Sequence, residues 1–431
     1  MSKLLFNRAF SEHTIGVDVS SIEGLSASSI LFKQKDGCIC IEIAEDTTSK
    51  RLNSNYYIGT DWLNKNKTAV YVAPKINDEA QQTDYLKMLF SCLRHSDVAN
   101  FTYDLYEIKF EEPFIEIEKK QDLITPLLVI QFLQILKSIV KKGLKKSYYR
   151  IEQNLNSKIK GKVLVAQTLK HNIIKNQPTK TYCQYNEFGL NCIENRILKK
   201  TLNFVQRYLA LFPEYSKLVS SVINYCSPAF QNVDANVDLR TLKNITHNSF
   251  FKEYKEAIYL SNLILKRFGY NIKEIETLNK EMVKVPPFWI DMPKLFELYV
   301  LGLLKDKYFN DIQFQIQGSY GQPDFALVSE NHKMIIDTKY KRKYQQEKYQ
   351  VEDIRQLSGY ARDKKILSKL GYKTEQEQDR IIDCLIIYPD QSGSERLNAN
   401  LKEIPISGFT RFYKMPIKLP IINDYNSQKT K

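Results

Sequence analysis

Glycine and proline are scarce, 15 and 14 of 431 residues, which excludes collagen-like and linker-rich architectures. Cysteine occurs only seven times, an odd number scattered along a long chain, as expected of reduced thiols in a cytoplasmic protein. The one close pair, Cys38 and Cys40, lies on a strand-like run with no second ligand pair, so a four-ligand metal site is not expected there. No apolar run reaches the length of a membrane span. The most apolar stretch, Leu123 to Val140, is interrupted by Pro126, Gln131, Gln134, Lys137 and Ser138 and reads as a core helix. The opening residues, MSKLLFNRAFSEHTIG, place charges before any apolar run of signal-peptide length, which again points to the cytoplasm. There is no G-x-x-x-x-G-K-[ST] loop, so the usual phosphate cradle for a nucleotide is missing. Internal repeats and low-complexity blocks are absent too.

What is present describes a globular chain with a surplus of positive charge. Hydrophobic residues make up 43% and charged residues 26%, which excludes disorder and allows a buried core. At ~150 residues per domain the length suggests about three domains. Lys and Arg number 63 against 49 Asp and Glu, a net charge of +14, which favours a polyanionic partner. The surplus is concentrated. Between Gln131 and Lys180, twelve Lys or Arg accompany a single acid, Glu152, with Tyr148, Tyr149, Tyr182 and Tyr185 interleaved. Lys141, Lys142, Lys145, Lys146, Arg150, Lys158, Lys160 and Lys162 are the candidate DNA-binding residues, since such cations displace condensed counterions and tyrosine rings can stack on bases. The alternative is a solvated basic face over a tyrosine-containing core. A membrane surface ranks last, because no basic amphipathic anchor or lipidation signal is evident.

The pattern predicts an α/β fold of the α+β multidomain kind. Residues 1–118 read as a β-rich N-terminal domain, with a hairpin around Lys35-Asp36-Gly37, a strand over 68–75, a helix over 79–95 and short strands at 105–110 and 114–118. Residues 119–280 read as a basic, mainly helical middle domain, with helices at 123–143, 192–211 and 250–268 and strands at 162–168 and 180–185. Residues 281–420 read as helix, three strands, helix, strand. Asp291 and Pro293 form a helix start, and the following helix carries one apolar stripe. A helix is predicted over 352–370, ended by Gly371, and the apolar run 381–388 reads as a central strand. Residues 421–431 read as a loose tail.

The chemistry concentrates in the stretch from Pro323-Asp324 to Asp337-Thr338-Lys339. Two strands joined by a tight turn place Asp324 and Asp337 on neighbours, and alternation puts Asp337 and Lys339 on one face with Thr338 facing away. Two carboxylates at one spot require a compensating cation, and a hard divalent ion such as Mg2+ suits oxygen ligands. Lys339 would then orient a water or offset charge on a phosphate. An acid-x-Lys triplet alone is weak and recurs elsewhere in the chain; a solvated hairpin end is the bland alternative. Glu297 sits near the edge of the apolar stripe of the preceding helix, either aimed at the metal or paired with Lys294. Gln356 and Tyr360, four residues apart, share a helix face that can donate to a phosphate, brace Lys339 or simply pack.

These residues carry a resemblance. Asp324, Asp337-x-Lys339 and the Gln356/Tyr360 pair resemble the PD-(D/E)xK nuclease superfamily, in the variant with a Q-x-x-x-Y helix. More narrowly, Leu295-Phe296-Glu297-Leu298-Tyr299-Val300, Pro323-Asp324-Phe325, Asp337-Thr338-Lys339-Tyr340-Lys341 and Tyr388-Pro389 resemble the McrC family, nuclease subunits of McrBC 5-methylcytosine restriction systems. Lys160-Gly161-Lys162-Val163 is similar to that family's basic R-G-R-I stretch, and Tyr185-Asn186-Glu187 with Glu194-Asn195-Arg196-Ile197-Leu198-Lys199 to its Y-(D/N)-E…N-x-x-L/I-K segment. The likeness covers about residues 145 to 390. The family's D-A-K-Y stands here as Asp-Thr-Lys-Tyr.

The resemblance implies an Mg2+-dependent endodeoxyribonuclease of antiphage defence. Asp324 and Asp337 would hold the metal with the Thr338 carbonyl, Lys339 would serve the attacking water, and Glu297, Gln356 and Tyr360 would support them. It also implies a partner, a McrB-like AAA+ GTPase ring that binds GTP and reads methylated DNA, with two nuclease copies per double-strand cut. The N-terminal residues carry no family motif, so partner docking there rests on position alone. The rival expectations are a stand-alone repair or defence nuclease and a non-catalytic adaptor that stimulates a ring NTPase.

Overall fold

A computed structural model of the chain describes residues 3–4, 10–22, 24–47, 49–76, 83–92, 95, 98, 101–102, 104–109, 111–118, 124–210, 213–237, 252–269, 282–341, 344 and 350–421. Apart from Ile421, the tail read as loose lies outside them, as does the first part of the helix read over 79–95. The chain forms two compact units, Met1–Ile124 together with Lys280–Lys431, and Thr125–Asn279.

In the first unit the Asp-Gly turn does what its chemistry requires. Ser28–Leu31 and Ile39–Glu45 pair antiparallel around it, with Gly37 at φ 72. Thr68–Ala73, Tyr57–Asn64, Phe288–Asp291 and Tyr106–Ile108 lie side by side in a second sheet. Phe288–Asp291 is therefore a strand of a sheet otherwise built from the first hundred or so residues. Met282–Val285 likewise pairs with Ile115–Glu118. The segments read as 1–118 and 281–420 thus lie in one unit. The pattern did not mark Phe288–Asp291 as a strand because four residues running into Asp291 and Pro293 look like the approach to a helix.

Gly59 permits this insertion. Its φ is 149, and a Cβ there would lie 2.0 Å from the Phe288 carbonyl oxygen. We expect Gly59→Ala to destabilise this unit by about 3 kcal/mol, measured as a lowered denaturation midpoint; an unchanged midpoint would refute the close approach.

The helix Met292–Tyr308 starts as predicted, with Asp291 Oδ1 accepting from Lys294 N at 2.9 Å. It is not amphipathic with a single stripe. Ten of its residues are buried, Lys294 and Gly302 among them, so it is enclosed on nearly every side. Beside it stands a six-stranded sheet in the order Ile312–Phe314, Phe325–Val328, Lys333–Thr338, Asp383–Ser394, Phe412–Ile417, Ile404–Pro405. The first three strands are antiparallel, and Lys333–Thr338 then pairs parallel with Asp383–Ser394. The apolar run read as central is central. The helix predicted over 352–370 is two helices, Val351–Tyr360 and Lys364–Lys369. Asp363 breaks it by capping the second, accepting from Lys365 N at 2.8 Å, because a short carboxylate competes well for free amides.

The second unit holds a three-stranded antiparallel sheet in the order Ser147–Asn156, Lys180–Gly189, Lys162–Val163. The first two pair over ten residues. The strand expected over 162–168 stops after Val163, and Val165–Thr168 turns helical. Polar bonds decide this. Thr168 Oγ1 accepts from Tyr182 N at 3.0 Å, and Asn172, fully buried, exchanges amide hydrogen bonds with Asn154 at 2.9 Å. Helices run over Ile124–Lys142, Ile193–Ala210, Pro213–Cys226 and Lys252–Gly269; Pro213–Cys226 was not foreseen. Among the described residues no helix is long and apolar enough to cross a membrane.

Candidate active site

The hairpin brings the two aspartates together. Phe325 pairs with Ile336 as the last rung of that ladder, so Asp324 and Thr338 lie just beyond it. Beyond that antiparallel ladder, though still paired with Ile387 on its other side, the Thr338 N–H donates to Asp324 Oδ2 at 2.7 Å, and the Thr338 hydroxyl donates to the same oxygen at 2.5 Å. This corrects the expectation that Thr338 faces away: it clamps one oxygen of Asp324. Asp337 is buried, 3% exposed, and its Oδ2 lies 2.6 Å from Lys339 Nζ. The contact is close, but its angles fall short of an aligned hydrogen bond.

Lys339 is held by more than Asp337. Its Nζ donates to Gln356 Oε1 at 3.0 Å, and Gln356 Nε2 donates to Tyr360 OH at 3.0 Å. The i,i+4 pair on Val351–Tyr360 therefore faces the lysine rather than only packing. One turn earlier, Asp353 lies 3.8 Å from Lys339 Nζ and accepts from Lys341 at 3.0 Å and from Tyr344 OH at 2.6 Å. Glu297 comes from Met292–Tyr308. Its Oε1 accepts from Gln315 at 3.0 Å, and Lys294 Nζ stands 3.7 Å from its other oxygen.

The electrostatics are those of carboxyls short of positive charge. Burial, then Asp324, pushes Asp337 up to about 8 against the pull of Lys339. Burial, then Asp324, raises Glu297 to about 7 while Lys294 and Gln315 oppose. Asp324 is also raised by burial, although the two Thr338 bonds favour its charged form. Burial pulls Lys339 down, yet Asp337 and its neighbours outweigh it and hold the ammonium above its ordinary value.

Lys294, named from its i−3 spacing as a partner for Glu297, is buried beside it. Two contributors were missed by sequence. Tyr340 OH donates to buried Glu12 at 2.8 Å, a contact across 328 residues that no local pattern announces. Lys35, from the N-terminal hairpin, pairs with Asp291 at 2.6 Å, and both line a cavity of about 570 Å³ that opens onto Asp324 and Glu297. Among the described residues no three His, Cys, Asp or Glu side chains cluster as a ready-made metal cage.

The basic stripe of the second unit divides in two. Lys141, Lys146, Lys158, Lys160 and Lys162 are exposed, and Lys160 Nζ lies 4.0 Å over the Tyr185 ring. Arg150, also exposed, pairs with Glu152 at 3.0 Å, and Lys142 pairs with Glu253. Lys145 turns inward to Glu194 at 2.5 Å, which holds the Glu194 carboxyl below its usual range against the effect of burial.

Two solved structures from Thermococcus gammatolerans are similar to the chain. One is a refined half-complex from a tetradecameric assembly of McrB AAA+ hexamers with bound McrC, at 16% identity over 95% of this chain and 94% of that one, TM-score 0.37. The other is a cryo-EM structure of the McrBC complex, at 14% identity over 69% and 86%, TM-score 0.28. No curated protein matches. Residues 53–370 match the family described as McrBC 5-methylcytosine restriction system component, a span that runs from the N-terminal sheet through the aspartate hairpin to the end of Lys364–Lys369. On that match the chain belongs to the McrBC family of restriction-system components.

Proposed function

We propose that this chain is the DNA-cutting subunit of a modification-dependent restriction complex, an Mg2+-dependent endodeoxyribonuclease with a PD-(D/E)xK core. The observation that carries the proposal is the convergence of Asp324, Asp337 and Lys339, with Lys339 2.6 Å from Asp337 and braced by Gln356.

The donor set fits a hard divalent cation. Asp337 Oδ2 is buried without an aligned donor, and three carboxyls are raised together. Two aspartates, a main-chain carbonyl and waters suit Mg2+, which keeps much of its water shell. Asp324, Asp337 and the Thr338 carbonyl would hold it, and when bound it supplies Lewis-acid stabilisation of the phosphate and a more acidic water. The chain's own groups do the rest. Lys339 orients the attacking water and offsets charge gathering on the phosphate oxygens. Gln356 and Tyr360 fix the ammonium, and Glu297 can hold or release a proton beside Asp324 near neutral pH. The exposed lysines of the second unit would grip the DNA backbone.

The proposed partner is a McrB-like AAA+ GTPase ring that binds GTP and selects methylated DNA, with two copies of this chain serving a double-strand cut. The test is copurification with such a GTPase, followed by incubation with methylated and unmethylated plasmid. GTP-dependent cutting of methylated DNA alone is the expected result. Cutting without GTP or partner would instead establish a stand-alone nuclease.

Thr338 gives a finer expectation. Removing its hydroxyl leaves Asp324 with one bond on that oxygen, so Thr338→Ala should raise the Mg2+ requirement for cleavage ~10-fold, while Thr338→Ser stays near wild type. Identical metal titrations for all three proteins would show that the clamp is irrelevant.

A further inference from the structure

Beside the catalytic lysine, the fold presents an aromatic ring that its packing does not use. Tyr320 is 99% exposed, at the tip of a loop that is held firmly. Gly318 N donates to Gly321 O at 2.8 Å, closing the turn. Ser319 N and Oγ donate to the two oxygens of Asp363 at 2.5 and 3.2 Å. A Cβ on Gly318 would lie 2.8 Å from the Gly321 oxygen and from Ile366 Cδ1, and one on Gly321 would lie 3.0 Å from the Tyr360 ring. The loop thus rests on Tyr360, the end of the relay through Gln356 to Lys339, and it runs directly into Pro323-Asp324.

The same carboxylate joins the loop to a run of cations. Asp363 caps Lys364–Lys369, and Arg362, Lys364, Lys365 and Lys369 are all exposed around it. Lys369 Nζ also donates to the Gln317 carbonyl at 3.2 Å, tying down the base of the loop. Asp363 is the one acid between Arg362 and Lys369, and its hydrogen bonds to the loop and helix amides hold it below the usual carboxylate range despite some burial. A solvent-facing ring on a tethered loop, with exposed cations on the helix that anchors the loop, suits a nucleic-acid strand: rings stack on bases, and cations meet phosphates.

We propose that the Gly318–Gly321 loop and the helix Lys364–Lys369 form a DNA-gripping surface beside the catalytic centre, with Tyr320 stacking on a nucleobase near the cut and Arg362, Lys364 and Lys365 engaging backbone phosphates. This rests on the nuclease reading for its substrate, but binding can be tested without cleavage. The full chain is titrated into fluorescein-labelled oligonucleotides, one duplex and one with a 2-aminopurine in a single-stranded gap, without divalent metal and at several salt concentrations. Tyr320→Ala should weaken binding ~10-fold and abolish 2-aminopurine quenching, and Tyr320→Phe should retain both, since the stacking face survives. Lys364→Gln with Lys365→Gln should lower the salt slope by about 2 while leaving quenching of bound DNA intact. All of these side chains are exposed, and thermal melts check that the fold is unchanged. Wild-type affinity, quenching and salt slope in every variant, or no DNA binding by the wild type, would overturn the surface. Whether Asp337 is needed for cutting is a separate measurement, so either idea can fail alone.

Discussion

Asp337→Ala is expected to abolish DNA cleavage, by on the order of 10³-fold or more, without unfolding the protein. The size follows from position. Asp337 is the most enclosed of the site's acids, its Oδ2 contacts Lys339 at 2.6 Å, and no aligned hydrogen bond claims that oxygen. On the proposed reading its loss would remove a metal ligand and the carboxylate nearest the lysine at once, and each such electrostatic element contributes several kcal/mol to phosphoryl chemistry. Stability should move the other way. Folding buries a carboxyl that burial and Asp324 push up to about 8, so the wild-type charge is costly near neutral pH and alanine relieves it. Lys339 keeps Gln356 at 3.0 Å and Asp353 at 3.8 Å. The check pairs a cleavage assay with a melt of the same preparation. Wild-type cutting by the variant would refute the site. A collapsed melt would mean that Asp337 is structural, and Asp337→Asn, which keeps the volume, would then report the cleavage effect.

The parts of this site that local spacing can encode were legible. An Asp-Gly turn, an Asp-x-Pro helix start and a Gln/Tyr pair four apart each depend on residues within one turn, and the structure places each where the spacing implies. The hairpin delivered Asp324 and Asp337 to one end for the same reason. What failed depends on partners far along the chain or on competing polar bonds. Phe288–Asp291 is a strand because Tyr57–Asn64 and Tyr106–Ile108 flank it. The helix read over 352–370 breaks because Asp363 takes amides from both Lys365 and Ser319. Lys145 looked like a free cation until Glu194, 49 residues on, claimed it. Thr338 misled for a subtler reason. On the side of Phe325–Val328 the ladder ends at Ile336, so Thr338, still paired with Ile387 on its other side, turns its amide and hydroxyl to the nearby Asp324 carboxylate.

The second large effect concerns pH and metal together. Asp337 and Glu297 ordinarily titrate near 3.8 and 4.5, and the fold raises them to about 8 and about 7. A raised folded value means that the native state binds more protons than the unfolded chain between the two values. Stability is therefore fully present below about pH 4 and is lost as pH climbs toward 8. Without metal, the unit carrying the site should lose on the order of 2–4 kcal/mol across that window, the protons being shared among carboxyls that repel one another. On the proposed reading a divalent cation would replace those protons. Near pH 8 it would meet carboxyls already half ionised or more and restore the loss; near pH 5.5 it would first have to displace protons and would gain little. Melting curves with chelator and with Mg2+ at the two pH values test this, and the Mg2+-induced rise should be several degrees larger at the higher pH. Asp337→Ala should flatten both the pH slope and the Mg2+ response. Equal Mg2+ effects at both pH values, or a slope that survives the substitution, would mean that these carboxyls do not share their protons with a metal.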